Sequence, residues 1–303
     1  MSKRNSQQAK RAARERLQAE REKQAKREKV RRQVTVGVSL VAVLAVAGGI
    51  AFAVSKMGGN GGEGDNSDWS VAQKVADKSA DGTVKIDGQS YTYAKPKNAS
   101  GKDGTDIVVG EKSAKHTLDV YEDMRCPICS QFEQLAGETI TKDVESGKYK
   151  ASFNFGAFID KNPAAKGTGS RNALSALGAS LDVSPEAFLQ YKKALFSKKN
   201  HPEEQDDGFA SDDRLLEIAD QVKELKGNKT FKKAVEESRY DAWALKVAKK
   251  FDKSKVQGTP TLKLDGVHLK ADSQGSPPMS PAQLNKLVDQ QIKKGGKEKD
   301  SKE

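Results

Sequence analysis

Residues 34–54 read VTVGVSLVAVLAVAGGIAFAV, a run of 21 residues with no charge and nothing more polar than Thr35 and Ser39. About 20 consecutive apolar residues let a helix span a bilayer, so this run predicts a single transmembrane helix. Arg31 and Arg32 close a 33-residue arm that holds 13 Lys and Arg against 4 Glu, whereas only Lys56 follows closely on the other side. That asymmetry predicts a cytoplasmic N-terminus and an extracytoplasmic remainder, a single-pass protein of the cell membrane. Ala51-Phe52-Ala53 resembles a signal-peptide cleavage site. The basic lead and the apolar run both exceed usual signal-peptide lengths, so an uncleaved signal anchor is expected.

Charge agrees with this topology. The net +11 of the whole chain would by itself suggest nucleic acid or an anionic surface. The arm carries +9 of it and residues 293–303 carry +2, so the 259 residues between are neutral. The lipid bilayer is therefore the partner expected for the arm, and no nucleic acid is expected. Two cysteines exclude a disulfide-stapled scaffold, and 35% hydrophobic residues exclude a wholly disordered chain.

Five regions follow: a basic arm (1–33), the transmembrane helix (34–54), a flexible extracytoplasmic linker (55–82), a domain (83–294) and a charged tail (295–303). The linker contains GGNGGEGDN and a short helix candidate at 69–80. Within the domain, TVKIDGQSYTY reads as a hairpin around Asp87-Gly88. Strands are expected at 116–121 and 149–155, a helix at 126–144, and helices at 170–181, 185–196, 212–225 and 230–251. The last four form a helical insertion of about 160–252; a hairpin around Asp265-Gly266 and a helix over 281–294 close the domain.

No phosphate-binding loop, zinc-protease motif or internal repeat is present, so the chemistry rests on the only two cysteines, Cys126 and Cys129, in EDMRCPIC. Two cysteines three apart at a helix start share one face. The first meets the free N–H groups and the positive end of the helix dipole, which favours the thiolate. Pro127 suits the first helical position. Arg125 adds a nearby positive charge. Three other readings stay open: a structural disulfide, whose short loop would make it a poor staple; half a zinc site, although His116, His201 and His268 stand at no ligand spacing; and an idle oxidised pair.

Three features together resemble the membrane-anchored, DsbA-like branch of thioredoxin-fold thiol-disulfide oxidoreductases of actinobacterial type. They are VYEDMRCPICSQFE, the helical insertion, and Gly258-Thr259-Pro260-Thr261-Leu262 ahead of a hairpin, and the resemblance spans about residues 84–292. It implies an α/β thioredoxin-like fold with a helical insertion. It also implies a redox-active Cys126–Cys129 disulfide with no further cofactor and no metal, Cys126 as nucleophile and Cys129 as resolving thiol. Thr259 and Pro260 would form a cis-proline loop beside the sulfurs that binds substrate. The expected reaction is transfer of that disulfide to cysteine pairs of exported proteins, with reoxidation by a quinone-linked membrane partner. A reductase, a disulfide isomerase and a non-catalytic binding module are the alternatives.

Two positions depart from the family pattern. Ile128 stands where many relatives have His, which implies a less acidic thiol and a less oxidising potential. Val120 stands where many have an acid. Asp119, Glu122 and Asp123 are the neighbouring acids; a solvated acidic turn is the default for Glu122 and Asp123, and which acid relays protons is open. The three histidines are expected to be structural or solvent-facing, Tyr240, Trp243 and Phe251 a core stripe, and residues 203–207 an exposed loop.

Overall fold

The computed structural model of the protein describes residues 69–78 and 82–300, the side chains of 296–300 excepted. The basic arm, the predicted transmembrane segment 34–54 and the Gly-rich part of the linker lie outside the described residues. Among the described residues, no helix is long and apolar enough to cross a membrane.

The first helix, α1 (Trp69–Lys78), buries Ala72 and Val75, and Asp77 pairs with Lys249 at 3.2 Å. Packed structure therefore begins before residue 83, inside the stretch read as linker. The hairpin β1 (Gly82–Ile86) and β2 (Gln89–Tyr93) turns at Asp87 (φ 52°) and Gly88 (φ 84°), the two left-handed residues that a tight hairpin turn demands.

Next come β3 (Ile107–Val109), β4 (Thr117–Asp123), the helix α2 (Pro127–Phe132), a π-helical turn (Glu133–Gly137), α3 (Glu138–Glu145) and β5 (Lys150–Gly156). The helical insertion comprises α4 (Gly169–Val183), α5 (Pro185–Leu195), α6 (Asp212–Ala219), α7 (Lys229–Glu236) and α8 (Asp241–Lys253). The chain closes with β6 (Thr261–Leu264), β7 (Val267–His268) and α9 (Pro281–Asp300).

One five-stranded sheet in the order β3-β5-β4-β6-β7 organises these elements. β4 lies at its centre, parallel to β5 and antiparallel to β6, with Val120 opposite both Phe153 and Leu262. Alternation decides the two faces: Leu118, Val120 and Glu122 of β4 are buried while Thr117, Asp119 and Tyr121 between them are half-buried. Phe153 and Phe155 of β5 meet Phe188 of α5 edge-on at 5.4 and 6.3 Å, which locks the insertion onto the sheet.

Three boundaries differ from the periodicity. The single helix expected over 230–251 is two, broken at Ser238 (φ 51°), because Tyr240 and Trp243 both turn inward onto α4. A Cβ at Gly178 would sit 2.8 Å from the Trp243 ring, so that close approach overrides helix propensity. The helix expected over 212–225 ends at Ala219, and α9 runs on to Asp300 through the stretch read as a tail.

Candidate active site

β4 delivers Cys126 to the C-terminal edge of the sheet, where it becomes the N-cap of α2 (φ −73°, ψ 116°) with Pro127 at the first helical position. Its sulfur accepts the Cys129 N–H at 3.4 Å. The two sulfurs differ in access: Cys126 is 7% exposed and Cys129 fully buried. The Thr259–Pro260 peptide is cis, and the Thr259 carbonyl oxygen lies 3.7 Å from Cys126 Sγ. The structure thus brings Cys126, Pro127, Cys129, Thr259 and Pro260 to one place from segments 133 residues apart.

The thiols are poised in opposite directions. Cys126 is held below its ordinary value, first by the hydrogen bond from the Cys129 side chain and also by Thr259 and the Cys129 backbone, with burial opposing. Cys129 is pushed well above its ordinary value by burial, then by Cys126 and by the charge of Glu122. The less deeply buried cysteine is thus biased towards the thiolate, and the fully buried one towards the protonated thiol.

Beneath Cys129 lies a buried charge cluster. Lys192 of α5 reaches Glu122 Oε2 at 3.2 Å and Glu133 Oε1 at 2.6 Å, all three side chains at most 5% exposed. Burial raises Glu122 well above the carboxylate range, and Glu133 raises it further against the pull of Lys192. Burial alone would discharge Lys192, but the two carboxylates outweigh it and hold the ammonium above its ordinary value. Glu133 opens the π turn, and a Cβ at Gly137 would lie 2.5 Å from its Oε2, so glycine is needed there to leave room for the carboxylate. The expectation that Glu122 and Asp123 form a solvated acidic turn is overturned, since both are fully buried. The signal for Glu122 was the strand period: it shares a face with Val120, two residues earlier.

The three residues before Cys126 are each gripped by the segment 159–210. Asp123 Oδ1 accepts the Ser170 hydroxyl at 2.6 Å and its Oδ2 accepts the Ile159 N–H at 3.3 Å. Met124 C=O accepts His201 Nε2–H at 3.1 Å, and that ring stacks on Phe196. Arg125, with no exposed side-chain surface, binds Asp160 at 3.1 Å, Asp207 at 3.0 Å and the Glu204 carbonyl at 2.9 Å. Its charge is spent inside the insertion rather than beside Cys126, a correction to the sequence reading. Asp207 also accepts the Thr168 and Gly169 N–H groups, each at 2.8 Å, so the run 203–207 is part of this joint and not merely an exposed loop.

Two groups in this joint titrate against each other. Burial pushes Asp123 up from 3.8 to about 6, with Asp160 adding and its hydrogen bonds opposing, and burial pushes His201 down from 6.5 to about 4. An acid with a raised native pKa gains a proton on folding, so Asp123 adds stability as pH falls from 6 towards 4. A histidine with a depressed one loses a proton, so His201 removes stability as pH falls from 6.5 towards 4. Each slope reaches about 1.4 kcal/mol per pH unit. Compared with the unaltered chain, Asp123→Asn should lose stability on acidification and His201→Gln should gain it. Denaturant midpoints between pH 7 and 4.5 check this, and slopes that move the same way in both variants contradict it.

The remaining candidates lie elsewhere. Asp119 is on the other face of β4 and half-buried; burial raises its carboxyl, and Ser152 and Lys263 oppose. His116 pairs with Asp265 at 2.7 Å, and His268 lies on the edge strand β7. Tyr240, Trp243 and Phe251 are all core residues.

A family model described as Thioredoxin matches residues 102–290. DsbG from Mycobacterium tuberculosis, a disulfide bond oxidoreductase in its reduced form, is 26% identical with a TM-score of 0.51, over 62% of this chain and 87% of its own. Oxidised DsbA of the same organism is 26% identical with a TM-score of 0.50, over 61% and 91%. The thiol-disulfide oxidoreductase MdbA from Actinomyces oris shares the fold at 24% identity and a TM-score of 0.50, over 64% and 88%. No curated protein matches the chain.

Proposed function

This chain belongs to the thioredoxin family and is a protein-disulfide oxidoreductase of DsbA type, and from that premise we propose that it is a membrane-tethered oxidase donating its disulfide to exported proteins. The asymmetry of the two cysteines carries this reading: the less deeply buried Cys126, with a lowered pKa, beside Thr259, and a fully buried Cys129 with a raised one.

In the oxidised state a client thiolate attacks Cys126 Sγ. The Cys126–Cys129 bond breaks, its electron pair goes to Cys129, and a mixed disulfide forms at Cys126. The client's second thiolate then attacks the client sulfur of that mixed disulfide and releases Cys126 as a thiolate. The client is oxidised by two electrons and both enzyme cysteines are reduced. Cys129 needs a proton as it leaves, and the carboxyl of Glu122, which burial raises and which acts electrostatically on Cys129, is its proposed donor. Stabilising the Cys126 thiolate stabilises the reduced protein, which makes it a stronger oxidant.

Two considerations support an extracytoplasmic reaction: the uncharged run 34–54 with its basic arm, and the proposed disulfide donation, which an oxidising compartment favours. A quinone-linked membrane protein is the proposed reoxidant. A Cys129→Ser chain lacks the thiolate that would expel a client from Cys126, so mixed disulfides formed through Cys126 should accumulate in cells. Absence of such adducts under all redox conditions would sink the reading. A reduction potential near about −270 mV would assign a reductase, and one nearer about −120 mV the oxidase.

A further inference from the structure

The segment 245–263, which runs from α8 into the Thr259–Pro260 loop, holds six lysines and one aspartate. It sits in a chain whose residues 34–292 are neutral overall. Lys246, Lys249, Lys250 and Lys253 recur at helical spacing along one stripe of α8 and, with Lys102, line a cavity of about 400 Å³ beside Asp103 and Asp106. The C-terminal end of α8 lies near the active-site edge, because Phe251, on its buried face, packs at 6.0 Å on both Tyr121 of β4 and the partly exposed Phe158.

Some of this charge is answered within the protein. Lys249 pairs with Asp77, Lys250 with Asp106, and Lys161 covers Asp252. Lys263 lies over the Tyr121 ring and Lys246 over that of Tyr93. Lys253 and Lys255, nearest the loop, are exposed and have no carboxylate within ion-pair distance among the described residues. Lys255 holds φ 60°, a left-handed position just past the helix end that glycine would fill with less strain. One lysine at a helix C-terminus is explained by the helix dipole; a second, Lys255, beyond the helix end on the way to Thr259 is not.

We propose that this lysine approach receives carboxylate-rich stretches of client polypeptide, so that the protein reacts preferentially with cysteine pairs flanked by Asp and Glu. The proposal rests on the exchange reaction above and names its substrate class. An acidic segment lying along Lys253 and Lys255 would be drawn to the Thr259–Pro260 loop by an unbalanced positive field, which raises encounter rates and fades with salt.

The test uses the full-length oxidised protein and two dithiol peptides that differ only in four glutamates or four glutamines beside the cysteines. At low salt the acidic peptide should react about tenfold faster or more, and the ratio should fall towards one at high salt. K253E/K255E should remove or reverse the preference. Because that variant keeps the basic arm intact, a preference that survives it belongs to the arm and overturns the proposal. So does a ratio of one at low salt, including the case where K253E/K255E instead weakens binding to anionic lipid vesicles. If neither peptide reacts, the oxidoreductase reading itself falls and this inference with it.

Discussion

Replacing Arg125 with Met should destabilise the domain by about 3–5 kcal/mol, the cost typical of removing one partner from a buried ion pair. The guanidinium is fully buried and is met by Asp160, by Asp207 and by the Glu204 carbonyl. Methionine fills similar space but leaves the Asp160 carboxylate, itself 3% exposed, without its ion-pair partner, so that only the charge of Arg171 still favours it. Asp160 still accepts the Ser170 and Arg171 N–H groups, so the site is weakened rather than emptied. Adding Asp160→Asn to the Met background should recover part of the loss, because the stranded charge carries most of the cost. Lys193→Met, at the exposed Lys193–Glu138 pair, should cost less than about 1 kcal/mol. Urea unfolding of all four chains decides it; an Arg125→Met loss no larger than that of Lys193→Met would show that the joint between insertion and active-site loop is not held by this charge.

Glu122→Gln should slow the first exchange step about a hundredfold at neutral pH, the usual worth of a positioned general acid. Cys129 is a poor leaving group because burial raises its thiol so far, and a proton supplied as the sulfur departs removes that handicap. Two effects of the substitution compete. Losing a charged Glu122 would lower Cys129 and speed its departure, while losing a protonated Glu122 removes the proton source. Burial raises this carboxyl and so favours its protonated form, and loss of the proton source is the effect expected to dominate. The pH profile should lose the limb set by this carboxyl while folding stays intact, since glutamine preserves an oxygen for Lys192. Stopped-flow rates for a dithiol peptide from pH 5 to 9 would measure it, and an unchanged profile would assign the proton to water instead.

Local relations were legible in the residues themselves. Cys126 and Cys129 are three apart, Pro127 stands where a helix accepts proline, and Asp87-Gly88 turns a hairpin; each is a statement about neighbours, and the structure places those elements within a residue or two. The break at Ser238 was not legible, because it answers to the fit of Tyr240 and Trp243 against α4 rather than to helix spacing. Arg125 was misread for a similar reason: adjacency to Cys126 suggested an electrostatic neighbour, but its side chain turns to carboxylates 35 and more residues away. Lys192 had no local signal, standing as one lysine among several on an amphipathic helix, 70 residues from Glu122.

By itself the sequence determined the chemistry available, namely two cysteines at a helix start, a Thr-Pro loop ahead of a hairpin, and an uncharged run long enough to anchor the chain. Spacing along a helix or strand is a short-range geometric property, so residue order suffices to read it. Only the tertiary structure decided how those sulfurs are poised. It buried Glu122, Glu133 and Lys192 together beneath Cys129, spent Arg125 on the insertion, and brought Thr259 to Cys126. Burial and Coulomb interaction depend on distance through space and on the exclusion of water, and neither is set by position along the chain.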